Sequence, residues 1–138
     1  MERLAEHGAR VVISSRNEAP CLEVAAAINA RHGQGTAIAV AASISSKEAL
    51  EALVARTLRE LGAPSILVCN AAANPYYGPM SGISDAQFRK VLDNNVLSNH
   101  WLAQLVAPGM AVRGDGAIVV VSSIAGLRGT AAIGAYGI

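Results

Sequence analysis

Four short apolar runs, RVVIS, TAIAVAAS, SILVCN and GAIVVVSS, recur along 138 residues, and a helix-length segment separates each from the next. That alternation constrains the fold more than any other feature. Strands with no hairpin turn between them pair in parallel, through right-handed βαβ crossovers. The expected architecture is therefore an open α/β domain built on a parallel sheet. In LAEHGARVVISS a helix tail stops at Gly8 and a strand follows over Arg10–Ser14. Pro20, with Leu22, Val24, Ala25 and Ile28, predicts a helix that stops at Gly33. Ser45 with Glu48 reads as a capping box for a helix to about Leu61. SILVCN is apolar throughout, as expected of a strand covered on both faces. NPYYGPMSG is a loop, and Ser84 with Gln87 caps a long helix carrying Phe88, Val91, Asn95, Leu102 and Val106, which Pro108 and Gly109 bend or end.

Composition agrees with one core-rich domain over residues 1–138: 52% of residues are hydrophobic and 15% charged. A net charge of +1 gives no reason to expect nucleic acid or an anionic membrane as partner. The apolar stretches are too short to span a bilayer, and MERLAEHGAR does not read as a secretory signal. Cys21 and Cys69 lack a metal or CxxC spacing and read as free buried thiols of a reducing, cytoplasmic compartment. His7, His32 and His100 are isolated, so no metal is expected. In a parallel α/β sheet the chemistry gathers at the carboxyl ends of the strands. That rule selects Ser14–Arg16, Ala42–Ile44, Asn70–Tyr77 and Ser122–Ser123, each of them polar.

At those positions the chain resembles the classical short-chain dehydrogenase/reductase (SDR) family. ILVCNAAAN looks like its N-N-A-G motif, with Asn70, Ala71 and Ala72 at the centre. VSSIAG, with Tyr136 thirteen residues after Ser123, matches its serine-to-tyrosine spacing. FRKVLDNNV resembles the helix segment that bears its active-site asparagine, which falls on Asn95. CNAAANPYYG and VVISSRN lean toward the NADPH-dependent carbonyl and retinol reductase branch. The resemblance implies an α/β, Rossmann-like, doubly wound parallel sheet, here incomplete, lacking the first strand with its Gly-rich turn and the C-terminal strands and helices. It implies an NAD(P)(H)-dependent oxidoreductase that interconverts a carbonyl and an alcohol by hydride transfer, assembled as a homo-oligomer, dimer or tetramer.

The resemblance also implies roles. Tyr136 would be the general acid in reduction, Ser123 would hydrogen-bond the substrate oxygen, and Asn95 would hold a water in the proton relay. Ser122 is the competing serine. Asn70, Ala71 and Ala72 would pack backbone against the cofactor, and Ser43 and Ile44 would border its adenine. Cofactor choice is read after the second family strand, where an acid would select NAD. Here Ser15 and Arg16 stand there with no acid before Glu18, and a guanidinium favours the 2′-phosphate of NADP(H). Tyr76 and Tyr77 would line the substrate mouth. Against the family pattern, a T-G-x-x-x-G-I-G turn would precede residue 1, and the lysine of Y-x-x-x-K would follow residue 138. The chain therefore reads as an internal fragment, a partial NAD(P)-binding domain expected to be inactive and poorly folded alone. Two other readings stand beside this one. The first is a non-catalytic remnant that pairs with a full-length relative through the helix around Asn95–Val106. The second is an extended-type sugar-nucleotide epimerase or dehydratase, against which NAAAN and Asn95 argue.

Overall fold

The computed structural model describes residues 1–138, which divide into two compact units, Met1–Pro64 and Ser65–Ile138. The first unit holds α1 (Glu2–Glu6), β1 (Val11–Ile13), α2 (Glu18–His32), β2 (Ala37–Ala39) and α3 (Lys47–Leu61). The second holds β3 (Ile66–Cys69), α4 (Asp85–Leu92), α5 (Ser98–Arg113) and β4 (Ala117–Val120). All strand pairing is parallel, as two two-stranded ladders, β1–β2 and β3–β4.

In the first unit Val11 pairs with Ala37 and Ile13 with Ala39. The ladder continues beyond the strands, since Val40 N–H donates to the Ile13 carbonyl and Ala42 N–H to the Ser15 carbonyl. Alternate residues of both strands face the core, where Cys21, Ala25 and Ile28 of α2 meet them at helical spacing, with Ala5 of α1. Asn29 closes the outer edge of β2. Its side chain accepts from Ala37 N–H at 2.8 Å and donates to the Ala37 carbonyl at 2.9 Å. Those backbone groups would otherwise form an open strand edge. Helix α2 stops at Gly33, as expected, with φ at 102°, a value that side chains disfavour.

The start of α3 corrects the expected capping box. Ser46, not Ser45, is the N-cap: its Oγ accepts from Ala49 N–H at 3.1 Å and donates to the Glu48 carboxylate at 2.9 Å. With two serines in tandem, the residue three before the free amide takes the cap, which leaves Glu48 one position short of a reciprocal box.

In the second unit Ile66 pairs with Ala117 and Cys69 with Val120, and Val121 N–H extends the ladder to the Cys69 carbonyl. Leu102, Val106 and Met110 are the buried stripe of α5, which packs on both strands. The sequence predicts burial on both faces of β3, where Cys69 is buried and Leu67 and Val68 are half-buried but Ile66 is exposed, and β4 is exposed throughout. Within its unit α5 is the one helix packed on the two strands, so it covers a single face. The Ser84–Gln87 capping box forms as expected. Pro108 does not end the helix. It lies on an exposed side of α5, which runs to Arg113 and stops at Gly114, φ 67°. Between α4 and α5 the helix widens into a π segment, Asp93–Leu97, where Ser98 N–H reaches five residues back to the Asp93 carbonyl.

The Glu48 carboxylate is held below the ordinary glutamate range, first by its own backbone N–H and then by Ser46. A lowered carboxylate pKa means a contribution present at neutral pH and lost as pH falls through the folded value. Ser46→Ala should lower unfolding stability by about 1 kcal/mol in chemical denaturation. The difference from the parent should shrink in acid, and an equal difference at all pH values would show that Glu48 plays no part.

Candidate active site

The first unit brings two of the selected strand ends side by side. The Ala42-to-Ser15 ladder bond sets Ser15 and Arg16, after β1, beside Ser43 and Ile44, after β2. Ser15 is committed to its own turn. Its Oγ accepts from Asn17 N–H at 3.2 Å, donates to the Asn17 carbonyl at 2.9 Å, and lies 3.2 Å from the Cys21 thiol. Ser43 Oγ accepts from Ser45 N–H at 3.3 Å. Arg16 is exposed, and its guanidinium has neither an ion pair nor a hydrogen bond within the protein. Ser43 and Ile44 are half-buried.

The second unit carries the remaining candidates. Asn70, Ala71 and Ala72 leave β3 fully exposed, and no non-glycine residue in the chain has a positive φ. Ala72 therefore stands in place of the motif glycine without backbone strain. Ala73, next in line, is gripped by Asn95: Asn95 Oδ1 accepts from Ala73 N–H at 2.8 Å, and Nδ2 donates to the Ala73 carbonyl at 2.9 Å. Asn95 sits in the π segment, half-buried, while its neighbour Asn94 is buried. Side chains serve two carbonyls of this widened turn, Ser98 Oγ bonding Asn94 O at 2.6 Å and Asn99 Nδ2 bonding Asn95 O at 2.8 Å. Both donors lie four positions on from the carbonyl they serve, the spacing that brings side chains back over the preceding helical turn.

Ser123 is the N-cap of a short 3-10 turn, Ile124–Gly126, and its Oγ accepts from Ala125 N–H at 3.2 Å. Tyr136 lies in a second such turn, Gly134–Gly137, half-buried. The two turns pack on each other, closely enough that a Cβ on Gly137 would come within 2.6 Å of the Ala125 carbonyl. The sequence spacing thus becomes spatial adjacency of the two turns. Ser122 and Ser123 line an open cleft of about 520 Å³ with Ile124, Gly126, Leu127 and Ile138.

Tyr76 and Tyr77 part company. The Tyr76 phenol donates to the Pro79 carbonyl at 3.1 Å and lies over Gly78 and Gly82, where a Cβ would displace it. Tyr77 projects outward, 80% exposed. Gly78 also bridges to Ile133, tying this loop to the tyrosine turn. Sequence reading passes over Ala73, Ser98 and Asn99; only a mid-helix cluster of Asn and Ser, poor helix formers, hints at them. Burial raises the Cys69 pKa, as befits a packing thiol. No group of three or more His, Cys, Asp or Glu side chains is placed to hold a metal, and no helix is long and apolar enough to cross a membrane.

Comparison with known proteins places this geometry. Bovine "Dehydrogenase/reductase SDR family member 4" is 36% identical over 137 residues, 99% of this chain and 48% of its own length. Human "Dehydrogenase/reductase SDR family member 2, mitochondrial" is 37% identical, with the same coverage. The chain thus spans about half the length of these relatives. Among solved structures, sorbitol-6-phosphate 2-dehydrogenase from Erwinia amylovora superposes with a TM-score of 0.90 at 24% identity, covering 99% of this chain and 53% of that one. An alcohol dehydrogenase from Thermococcus sibiricus, complexed with 5-hydroxy-NADP, gives 0.90 at 19% identity, covering 99% and 57%. Both share the α/β fold of parallel strands alternating with helices. The sequence pattern of the short chain dehydrogenases matches residues 1–137, and the chain belongs to that family.

Proposed function

We propose that the protein is an NADP(H)-dependent oxidoreductase that interconverts a carbonyl and an alcohol. The observation that carries this reading is the packing of the Ser123 turn on the Tyr136 turn. The residues fit a nicotinamide dinucleotide. Arg16 offers an unpaired, exposed guanidinium to a 2′-phosphate, with Ser43 and Ile44 on the adjoining strand end to border the adenine. Asn70, Ala71 and Ala72 present small side chains and exposed backbone, as close approach of a cofactor requires. The cofactor, when bound, supplies or accepts the hydride.

The protein's own groups handle the oxygen and the proton. Ser123 Oγ is fixed by the Ala125 amide, which leaves its hydroxyl hydrogen as donor to the substrate oxygen, where negative charge develops on reduction. Tyr136 Oη gives its proton to that oxygen in reduction and takes it back in oxidation. Asn95 enters the relay through its backbone. Both side-chain groups are held by Ala73, so a water would sit on the remaining lone pair of the Asn95 carbonyl. Exposed Tyr77 borders the substrate mouth, and Tyr76 stiffens the loop that bears it.

Further features support the finer reading. Exposed Val96, Leu97 and Leu105 along the π segment and α5 suit a homo-oligomer, dimer or tetramer. Free buried Cys21 and Cys69 suit a cytoplasmic, reducing compartment.

Steady-state assay of the full-length protein with ketones and aldehydes tests the reaction. Tyr136→Phe should lower kcat by about 10²- to 10⁴-fold while NADPH binding, followed by fluorescence, is kept. Unchanged turnover in that variant would sink the proposal. Asn95→Ala leaves both Ala73 backbone groups without their partner, and should lower stability by about 1–3 kcal/mol in denaturant. Asn95→Asp should fall between, because it keeps the acceptor and loses the donor.

A further inference from the structure

We infer that Cys21 is a positioning residue for cofactor choice, acting through the Ser15–Asn17 turn to hold Arg16; the inference rests on the NADP(H) reading proposed above. Cys21 lies in the first turns of α2, 3% exposed, and belongs to the core cluster of the first unit. A thiol buried among Val11, Ile13, Ala25 and Ile28 needs no polar contact to earn its place. Its sulfur nevertheless points back to the end of β1, 3.3 Å from the Asn17 carbonyl and 3.2 Å from Ser15 Oγ.

Three groups meet there. Ser15 Oγ accepts the Asn17 amide and reaches the Asn17 carbonyl, and the thiol touches both the hydroxyl and that carbonyl. The hydroxyl and the thiol have one proton each, and two arrangements satisfy all partners. In one, Ser15 donates to Asn17 O and Cys21 donates to Ser15 Oγ; in the other, Cys21 donates to Asn17 O and Ser15 donates to sulfur. Either way the residues on both sides of Arg16 are tied to each other and to the helix. The Ala42 amide holds the Ser15 carbonyl from the neighbouring strand. Between these ties the Arg16 side chain is unengaged, as is the Asn17 carboxamide beside it, and of the two only Arg16 carries a charge. Its backbone is fixed, and its guanidinium is free for a ligand. Ser15 thus serves as a brace rather than a phosphate ligand, and the thiol is the part of the brace anchored in the core.

Preorganisation of this kind affects the bound phosphate and not the hydride step. In the full-length protein, Arg16→Ala should abolish the preference for NADPH over NADH. Cys21→Ala should raise KM for NADPH about five-fold, the value of one lost hydrogen bond. It should leave KM for NADH and kcat unmoved, and Cys21→Ser should restore the preference. Should Cys21→Ala fail to fold, Ser15→Ala reads the same knot from its exposed side and must lower the preference likewise. If Arg16→Ala shifts the preference while Cys21→Ala and Ser15→Ala leave it intact, the positioning inference is wrong and the cofactor reading stands. An equal loss for both cofactors in Cys21→Ala would mean packing alone and also overturns it. If Arg16→Ala changes nothing, the NADP(H) reading itself is wrong, and the inference falls with it.

Discussion

A parallel pair of strands cannot be closed by a tight turn, and that constraint governs the chain. Every strand must hand over to a loop at its carboxyl end and return through a helix. The loops after β1, β2, β3 and β4 therefore carry the polar residues, while the strands stay apolar. Ladder bonds fix where each loop begins. Ala42 N–H on Ser15 O and Val121 N–H on Cys69 O continue the pairing past the last strand residue, so the residues that follow leave from neighbouring points. Arg16 beside Ser43, and Asn70 beside Ser122, are consequences of register before they are features of a site.

The helix opposite β3 meets a second demand. It must present Asn95 to Ala73, and both the amide and the carbonyl of Ala73 need a partner at once. A carboxamide is the side chain that offers a donor and an acceptor on one rigid plane. Asn29 does the same for Ala37 at the outer edge of β2. Both asparagines substitute for a neighbouring strand. The π segment belongs to this arrangement, since Asn95 lies within it. Ser98 and Asn99 hydrogen-bond two of its carbonyls, those of Asn94 and Asn95.

Sequence alone reveals much of this, unevenly. Alternation of apolar runs with helix-period segments is a global signal, and it led to the parallel architecture and to all four strand ends. Gly33 as a helix stop was equally legible, because a positive φ leaves few alternatives. The misplaced cap at Ser45 has a local cause: two adjacent serines present the same chemistry, and only the chain direction decides between them. Pro108 does not end α5, since on an exposed helix side water can serve the carbonyl that its missing N–H leaves unpaired. The Asn95–Ala73 grip was out of reach. It joins residues twenty-two apart, and no periodicity encodes which side chain meets which amide.

One device recurs where the strands end. Ser15, Ser43 and Ser123 each accept a backbone N–H two residues on, from Asn17, Ser45 and Ala125. The turn needs only the oxygen, so the fate of the hydroxyl hydrogen distinguishes them. In Ser15 the hydrogen is engaged within the knot of Asn17 and Cys21. In Ser123 it has no protein partner, and the anchored oxygen aims a free donor beside the tyrosine turn. An aspartate could close the same turn, but it would bring a charge and no donor. On the proposed function, that difference would bear on adenine recognition at Ser43 and on a developing oxyanion at Ser123, which a carboxylate would repel. On that proposal the chemistry itself asks for serine at the last strand end, laid over a turn that several residues could have made.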